Sequence, residues 1–587
     1  MRGTVAVIGA GPRGTGFLER LAANAPSLYG NRPLDIHLVD PFPPGGGRIW
    51  RRDQSPLLWM NSMAADVTMF TDESAQPLEG PVRPGPAFDA WAGADPQSFP
   101  SRQAQSGYLR WVYEEAVAAL PPGSTVHEHP ARAVRISGPA DGRQQVWLEG
   151  AAEPLVADLV VLAFGHLDAD PDEEQQELAA FAGRHGLVHL PPAFTADSDL
   201  SVLAAGEPVV VRGFGLAFVD LMVLLTEGRG GRYDERGEYL ASGREPVLYV
   251  GSRRGVPYHS KIGYTWTGER PPLPRFFGPA QVDELLARDE PVDFDRDVRP
   301  LIDRELGFAH YHRLFTAHPG RTTVDWPVFE EKYAAVSGSE LAALAEDAVP
   351  DPADRFDPAA IDRPLDGLRH ESADALQESL RDYIEADLAR RHDPAYSADL
   401  AVFLGLLSVY GQLTRLGDTG AGGARWHGFF SYLASGPPGP RLRRLLALSR
   451  AGVVRFLGAG ITVEADESRG VFSAGSASVP GARVEARALV EARLPSPSPE
   501  RTRSPLLSAL YEDGARSNEA GLLVVDPADG RVVERGTGPH PRRFALGPHT
   551  TARSAGAFAR PHTNAPAFRQ NDATARAALT LLKEPTP

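Results

Sequence analysis

The chain has 587 residues, far beyond the ~50–250 residues of one domain, so two or three domains with room for a large cofactor are expected. Hydrophobic residues make up 42% and charged residues 23%. That is the balance of an ordinary globular protein, and no apolar run approaches the ~20 residues of a membrane span. A formal net charge of -16 disfavours nucleic acid as a partner, because phosphate binding draws on clustered Lys and Arg. With no cysteine, disulfides, thiolate metal sites, a redox dithiol and a cysteinyl flavin link are all excluded.

In chain order, Thr4–Ile8 reads as a short buried strand, entered without the basic, apolar and small-residue regions of an export signal. A cytoplasmic location is expected. The strand runs directly into Gly9, Gly11 and Gly14, and then into an amphipathic helix through Phe17, Leu18 and Leu21. Gly9 permits the tight turn, Gly11 lets backbone approach a pyrophosphate, and Gly14 lets helix pack on strand. A second strand, Leu34–Val39, ends in Asp40, placed to bind a ribose hydroxyl. Since the gap from Gly9 to Asp40 exceeds the usual ~20 residues, an insertion near residues 25–32 is expected.

Two later segments favour FAD as the dinucleotide of this loop. Asp158–Ala163 is a strand leading to Gly165 and His166, where flavoproteins with two dinucleotide sites carry a glycine turn near FAD. Phe544–Leu546 leads to Gly547 in the same manner and brings a last stretch of backbone to the flavin. Between them lies a second nucleotide motif, in which Pro208–Arg212 leads to Gly213 and Gly215 and then to an apolar helix. Phe218 stands where a third glycine is expected, which implies a looser contact between helix and strand. The next strand, Val247–Gly251, ends in Ser252, Arg253 and Arg254. A basic pair there suits the 2′-phosphate of NADPH, where NADH favours an acid.

The fold expected is α/β, with two Rossmann-like dinucleotide-binding domains, for FAD and for NADPH, and a large helical insertion. Residues 1–190 and 500–587 are expected to form the FAD domain, 195–265 and 450–499 the NADPH domain, and 270–445 the insertion. Helices are expected at 375–391, with Leu376, Leu380, Tyr383, Ile384 and Leu388 on one face, and at 401–413. The stretch 417–423, rich in glycine, reads as an exposed linker or loop. Beyond the two nucleotide motifs no internal repeat is visible.

The segment Val7–Thr15, Pro44–Gly47, Trp59, Met60 and Asn61, Arg102 with Gly107–Leu109, Gly165 with His166, Ser252–Gly255, and Phe568–Asp572 together resemble a bacterial family of FAD/NAD(P)-binding monooxygenases. That family includes a FAD-dependent urate hydroxylase of the two-nucleotide type and the L-aspartate N-hydroxylases that make nitrosuccinate. More distantly, the layout is similar to that of ornithine and lysine N-hydroxylases. The resemblance implies a monooxygenase in which NADPH reduces the flavin and a flavin C4a-hydroperoxide delivers oxygen to a nucleophile, most closely an amino-acid nitrogen. It implies dioxygen and a small anionic substrate as partners, and a homo-oligomer is compatible with it. Hydroxylation of a purine or other ring, and amine oxidation by hydride transfer to FAD, are the alternatives.

For site residues, the resemblance places Trp59, Met60 and Asn61 beside the flavin, with Asn61 able to donate and accept at its edge. Arg102, Phe568, Asn571 and Asp572 join the cofactor set, and Asn571 or Asp572 is a competent N-cap for a helix over 573–582. An anionic substrate asks for Arg, and Arg275, Arg441 and Arg444 are the candidates besides the NADPH pair. His259 is a candidate base for an ammonium group, with His166 and His549 weaker candidates. No metal site is suggested, because the histidines lack paired ligand spacing with acids on one helix face.

Overall fold

Apolar strands without alternation need cover on both faces, which parallel sheets provide. The computed structural model, which describes residues 2–396, 398–417, 420–552 and 556–583, builds two such sheets in two compact units. The first unit comprises Met1–Asp170, Leu413–Ala421 and Pro495–Pro587, and the second comprises Pro171–Gln412 and Gly422–Leu494. In the first, Gly3–Ile8 is central, with Leu34–Val39 and Thr125–His129 on one side. Leu159–Ala163 and Gly538–Leu546 lie on the other, and Arg531–Glu534 forms an antiparallel edge. Val5, Ala6 and Val7 are wholly buried. Helix Pro12–Leu28 follows the glycine turn, so the expected insertion is mostly an extended helix with Pro26 inside it.

The second unit repeats this plan. Pro208–Arg212 is central, Val247–Ser252 and Val454–Ala459 lie on one side, Ala488–Glu491 and Val188–Leu190 on the other, all parallel. In both units a three-stranded antiparallel sheet is inserted before the next parallel strand, formed by residues 133–157 between the third and fourth strands in chain order of the first sheet and by 462–486 between the fourth and fifth of the second. The repeat therefore extends over two whole sheets, although only its glycine turns are visible as sequence.

Most of the helical stretch belongs to the second unit, rather than standing as a third body. Arg299–Ala317, Trp326–Ala335 and Ser339–Ala348 close around Phe308, Tyr311, Phe315, Phe329 and Tyr333. The helices expected at 375–391 and 401–413 span Ala373–His392 and Ala398–Leu416. The expected loop at 417–423 is instead helical from Gly420, the start of Gly420–Ala434, and residues 418 and 419 lie outside the described residues.

At one edge of the first sheet, His37, His127 and His129 meet on neighbouring strands. His37 Nδ1 lies 3.0 Å from His129 Nε2, and His127 Nε2 lies 2.9 Å from Asp35 Oδ1. Burial first, and the neighbouring histidines after it, push His37 and His129 below the ordinary value of 6.5, although Asp35 pulls His37 the other way. Because the folded state resists protonation, the unfolded chain binds more protons once pH falls through about 6.5. Stability is thus expected to drop below that pH and to level off beneath the depressed folded values. Thermal melts of wild type and His37→Gln between pH 8 and 5 check this, with the variant showing the flatter slope. Equal slopes would contradict it.

Candidate functional site

The carboxyl ends of the parallel strands in the first unit converge on glycine. A Cβ on Gly9, whose φ is +108°, would lie 2.4 Å from Ala163 O, and one on Gly547, at φ +130°, would lie 2.1 Å from Phe164 O. Such crowding keeps backbone at the strand ends, the side of an open α/β sheet where ligands bind. Gly14 is required for packing, since a Cβ there would meet Gly9 O at 2.1 Å. Gly11 differs. Its backbone is extended, and a Cβ would find only ordinary contact with Gly47 Cα at 3.6 Å. Gly45, Gly46 and Gly47 thus form a second backbone wall opposite the turn.

This cradle fits a dinucleotide. Helix Pro12–Leu28 has no side-chain cap and no acid in its first turn, so its free amides face the groove and favour an anion. Asp40 closes the loop, accepting from Ala10 N at 2.7 Å and from Phe42 N at 2.8 Å. Burial pushes its carboxyl above the usual range. Each carboxylate oxygen still has a second lone pair for a ribose hydroxyl.

Near the same wall, Ser101 caps helix Arg102–Ala118, and Arg102 N donates to Leu58 O at 2.9 Å. Trp59 pairs with Ser101 and Met60 N donates to Pro100 O, so the segment 58–60 is held against the start of this helix. Met60 is buried among Val67, Met69, Tyr108 and Leu109, which makes it core rather than a contact for cofactor. Trp59 and Asn61 beside it stay half-buried. Gln54 and Gln105, both missed in the sequence, have buried side-chain amides without a hydrogen bond among the described residues. Polar groups buried in this way are completed by ligand or water.

The C-terminal helix begins earlier than expected, at Pro566, and runs to Lys583. Asn571 and Asp572 therefore lie in its second turn and cannot cap it. Asp572 is buried, accepting from Asn24 Nδ2 at 2.7 Å and Gly80 N at 3.0 Å, while Asn571 covers Gly16 of the glycine-loop helix. Both fasten the two helices together. The helix start instead lies at Pro566, with Ala567 and Phe568 buried in its first turn. Gly165 is exposed, as is His166, and His549 Nε2 accepts from Leu167 N at 3.1 Å.

In the second unit Gly213, at φ +126°, donates its N–H to Gly251 O, and Gly215 begins helix Leu216–Leu225 without a side-chain cap. Phe218 is fully buried, in edge contact with Phe214 at 5.0 Å, so a whole aromatic ring fills the space that a third glycine would leave. Ser252 Oγ accepts from Gly255 N. The basic pair divides. Arg254 bonds Asp362 and lies 4.6 Å over the Tyr432 ring, whereas Arg253 is exposed and its guanidinium makes no hydrogen bond among the described residues. The free cation at the strand end is Arg253.

The substrate candidates also separate. Arg441 and Arg444 both reach Glu227 Oε2, at 3.4 and 3.0 Å, and burial lowers Arg441 to about 10. Arg275 is exposed on a loop held by wholly buried Glu305, which accepts from the amides of Arg275, Phe276 and Phe277. His259 is buried, its Nδ1 2.6 Å from Asp387 Oδ1 and its ring 4.5 Å from that of Tyr432. Burial pushes the imidazole down against the pull of Asp387. Burial also works to raise Asp387, but His259, Arg391 and the Ser260 amide hold it at about 2. A neutral imidazole donating Nδ1–H to a carboxylate satisfies both. This is a buried pair inside protein, not a base open to substrate.

A family of FAD-NAD(P)-binding proteins matches residues 6–167. Over 99% of this chain and 98% of its own length, an L-aspartate N-monooxygenase (nitrosuccinate-forming) of Streptomyces davaonensis is 35% identical. The chain belongs to the L-aspartate N-monooxygenase family. A nitrosuccinic acid synthase of Aspergillus oryzae is also 35% identical, over 98% of this chain and 92% of that one. Among solved structures, an ornithine N-hydroxylase of Kutzneria sp. 744 aligns over 99% of this chain and 98% of that one, at 13% identity and a TM-score of 0.38. The FAD-NAD(P)-binding match includes the first glycine turn, Gly9–Gly14, and ends before the second, Gly213–Gly215. No helix among the described residues is long and apolar enough to cross a membrane, and none of their His, Asp or Glu side chains cluster to hold a metal ion.

Proposed function

We propose that this chain is a FAD- and NADPH-dependent monooxygenase that N-hydroxylates L-aspartate on the way to nitrosuccinate. The observation that carries the reading is 35% identity over 99% of the chain to an L-aspartate N-monooxygenase, in a chain that itself carries two dinucleotide turns. Bound FAD supplies the difficult chemistry, accepting hydride from NADPH and activating dioxygen for transfer of one oxygen atom to the substrate nitrogen.

The protein's share is binding, orientation and exclusion of water. Gly11 and Gly47 admit the FAD pyrophosphate to the first helix amides, Asp40 takes the ribose, and Gln54, Gln105 and Asn61 offer hydrogen bonds that hold the flavin edge. Arg253 recognises the 2′-phosphate and selects NADPH over NADH. Arg275, the one substrate candidate whose guanidinium makes no ion pair among the described residues, meets a substrate carboxylate. The buried pair leaves proton removal from the ammonium to solvent or to another group, with His259 fixing the loop that carries Tyr258. A cytoplasmic setting that supplies NADPH is part of the same reading.

An amine oxidase has no use for a second dinucleotide turn, which weighs against that alternative. Holoprotein given NADPH in air is expected to oxidise L-aspartate on nitrogen in preference to purines and other amino acids. A hydroxylated purine as the product, or hydrogen peroxide alone, would contradict the assignment.

A further inference from the structure

The two glycine turns are built alike but face different things. At Gly11 the direction of a Cβ leads to the backbone of Gly46 and Gly47, whereas at Gly215 it leads to Tyr258. A Cβ on Gly215 would lie 3.1 Å from Cζ, 3.3 Å from Cε1 and 3.4 Å from Oη of that tyrosine. The phenol's hydroxyl end, rather than its ring face, is therefore beside the start of helix Leu216–Leu225. The hydroxyl makes no hydrogen bond among the described residues, and the ring is partly buried. An O–H donor held at an uncapped helix start and left without a protein acceptor suits a phosphate oxygen, to which it forms a charge-assisted bond.

Tyr258 is also held in place. Its ring meets Tyr432 edge-on at 5.9 Å, and Tyr432 is fixed by a 2.9 Å bond between its hydroxyl and that of Tyr383 and by Arg254 over its face. The next residue, His259, donates its backbone N–H to Tyr432 O at 3.2 Å and is tied to Asp387. A donor fixed in advance loses little freedom on binding, so more of its interaction appears as affinity. Arg253, six residues after strand residue Val247, lies on the same loop and is spared for the 2′-phosphate.

We propose that the Tyr258 hydroxyl donates to the pyrophosphate of the pyridine nucleotide, replacing on this side the backbone wall that Gly45–Gly47 gives FAD. The assignment rests on the reading that Gly213–Gly215 holds NADPH. On this account Gly215 is needed twice, to admit the phosphate and to leave room for the phenol that binds it.

Calorimetric titration of FAD-loaded protein with NADP+ tests it without turnover. Tyr258→Phe keeps the ring and its contact with Tyr432, and is expected to weaken NADP+ binding roughly 10-fold or more while FAD content stays the same. Binding of 2′-AMP, which carries the 2′-phosphate and lacks the pyrophosphate, is expected to be equal in both proteins. If Tyr258→Phe binds NADP+ as well as wild type, or better, the tyrosine's role is overturned. An equal loss for 2′-AMP overturns it too, since the effect would not belong to the pyrophosphate. If wild type does not bind NADP+ at all, the nucleotide reading beneath the proposal fails with it.

Discussion

The Gly11→Ala protein is expected to fold as wild type does and to purify with little or no FAD. The two halves of that expectation come from one geometry. Gly11 has φ -73° and ψ -168°, a backbone conformation open to any residue, and a Cβ there meets nothing nearer than 3.6 Å. The apoprotein therefore loses nothing by the change. The methyl group instead projects into the groove toward Gly47, where a pyrophosphate must come against the helix amides. Forcing extra volume into a fitted contact costs about 1–3 kcal/mol or more, which is a roughly 5- to 150-fold loss of FAD affinity. Gly14→Ala is the contrasting variant. Its Cβ would be 2.1 Å from Gly9 O, so it must separate helix from strand and lower stability even without cofactor. Measured side by side, flavin content falls first in one and melting temperature in the other. Full flavin in Gly11→Ala would remove the pyrophosphate from this turn.

Asp387→Ala is expected to be the most damaging single change in the second unit. Asp387 is only 4% exposed and carries three obligations. Its Oδ1 takes His259 Nδ1–H at 2.6 Å, its Oδ2 takes Ser260 N–H at 2.8 Å, and Arg391 lies 3.9 Å away. Removal leaves an imidazole N–H and an amide without acceptors, and a buried guanidinium with less compensation. Breaking a buried charged pair from one side costs about 3–5 kcal/mol. The midpoint of thermal unfolding should fall by on the order of 10 °C. A change of stability below about 1 kcal/mol in denaturant titration would show that the pair contributes little.

Sequence made the glycine turns legible because their meaning is local. Gly9, Gly11 and Gly14 sit within six residues of one another, between a strand and a helix that each carry their own pattern. Gly547 was readable in the same way, from the strand before it. What sequence could not show was pairing over distance. Arg253 and Arg254 are equivalent as letters, and only Asp362, 108 residues further on, separates the bound one from the free one. As a letter His259 is compatible with a base or a structural histidine, and only Asp387, 128 residues away on its Nδ1, distinguishes them. Arg441 and Arg444 likewise answer to Glu227.

The start of the C-terminal helix differs from the expectation for another reason. Asn571 and Asp572 are good caps by residue type, but Pro566 at the first helical position is the stronger signal. Gln54 and Gln105 carried no motif at all, and became visible only as amides buried without partners. The repeat of the whole sheet plan is hidden in the sequence because strand order is a property of pairing.

The most direct measurement is oxygen incorporation from labelled dioxygen. FAD-loaded protein, NADPH and L-aspartate are allowed to react under 18O2, and the nitrogen-bound oxygen of the product is examined by mass spectrometry. The account predicts a product oxygenated on nitrogen, carrying 18O from dioxygen, formed only when NADPH is present. An aspartate product without the label, or oxidation of aspartate that proceeds equally well without NADPH, would contradict it.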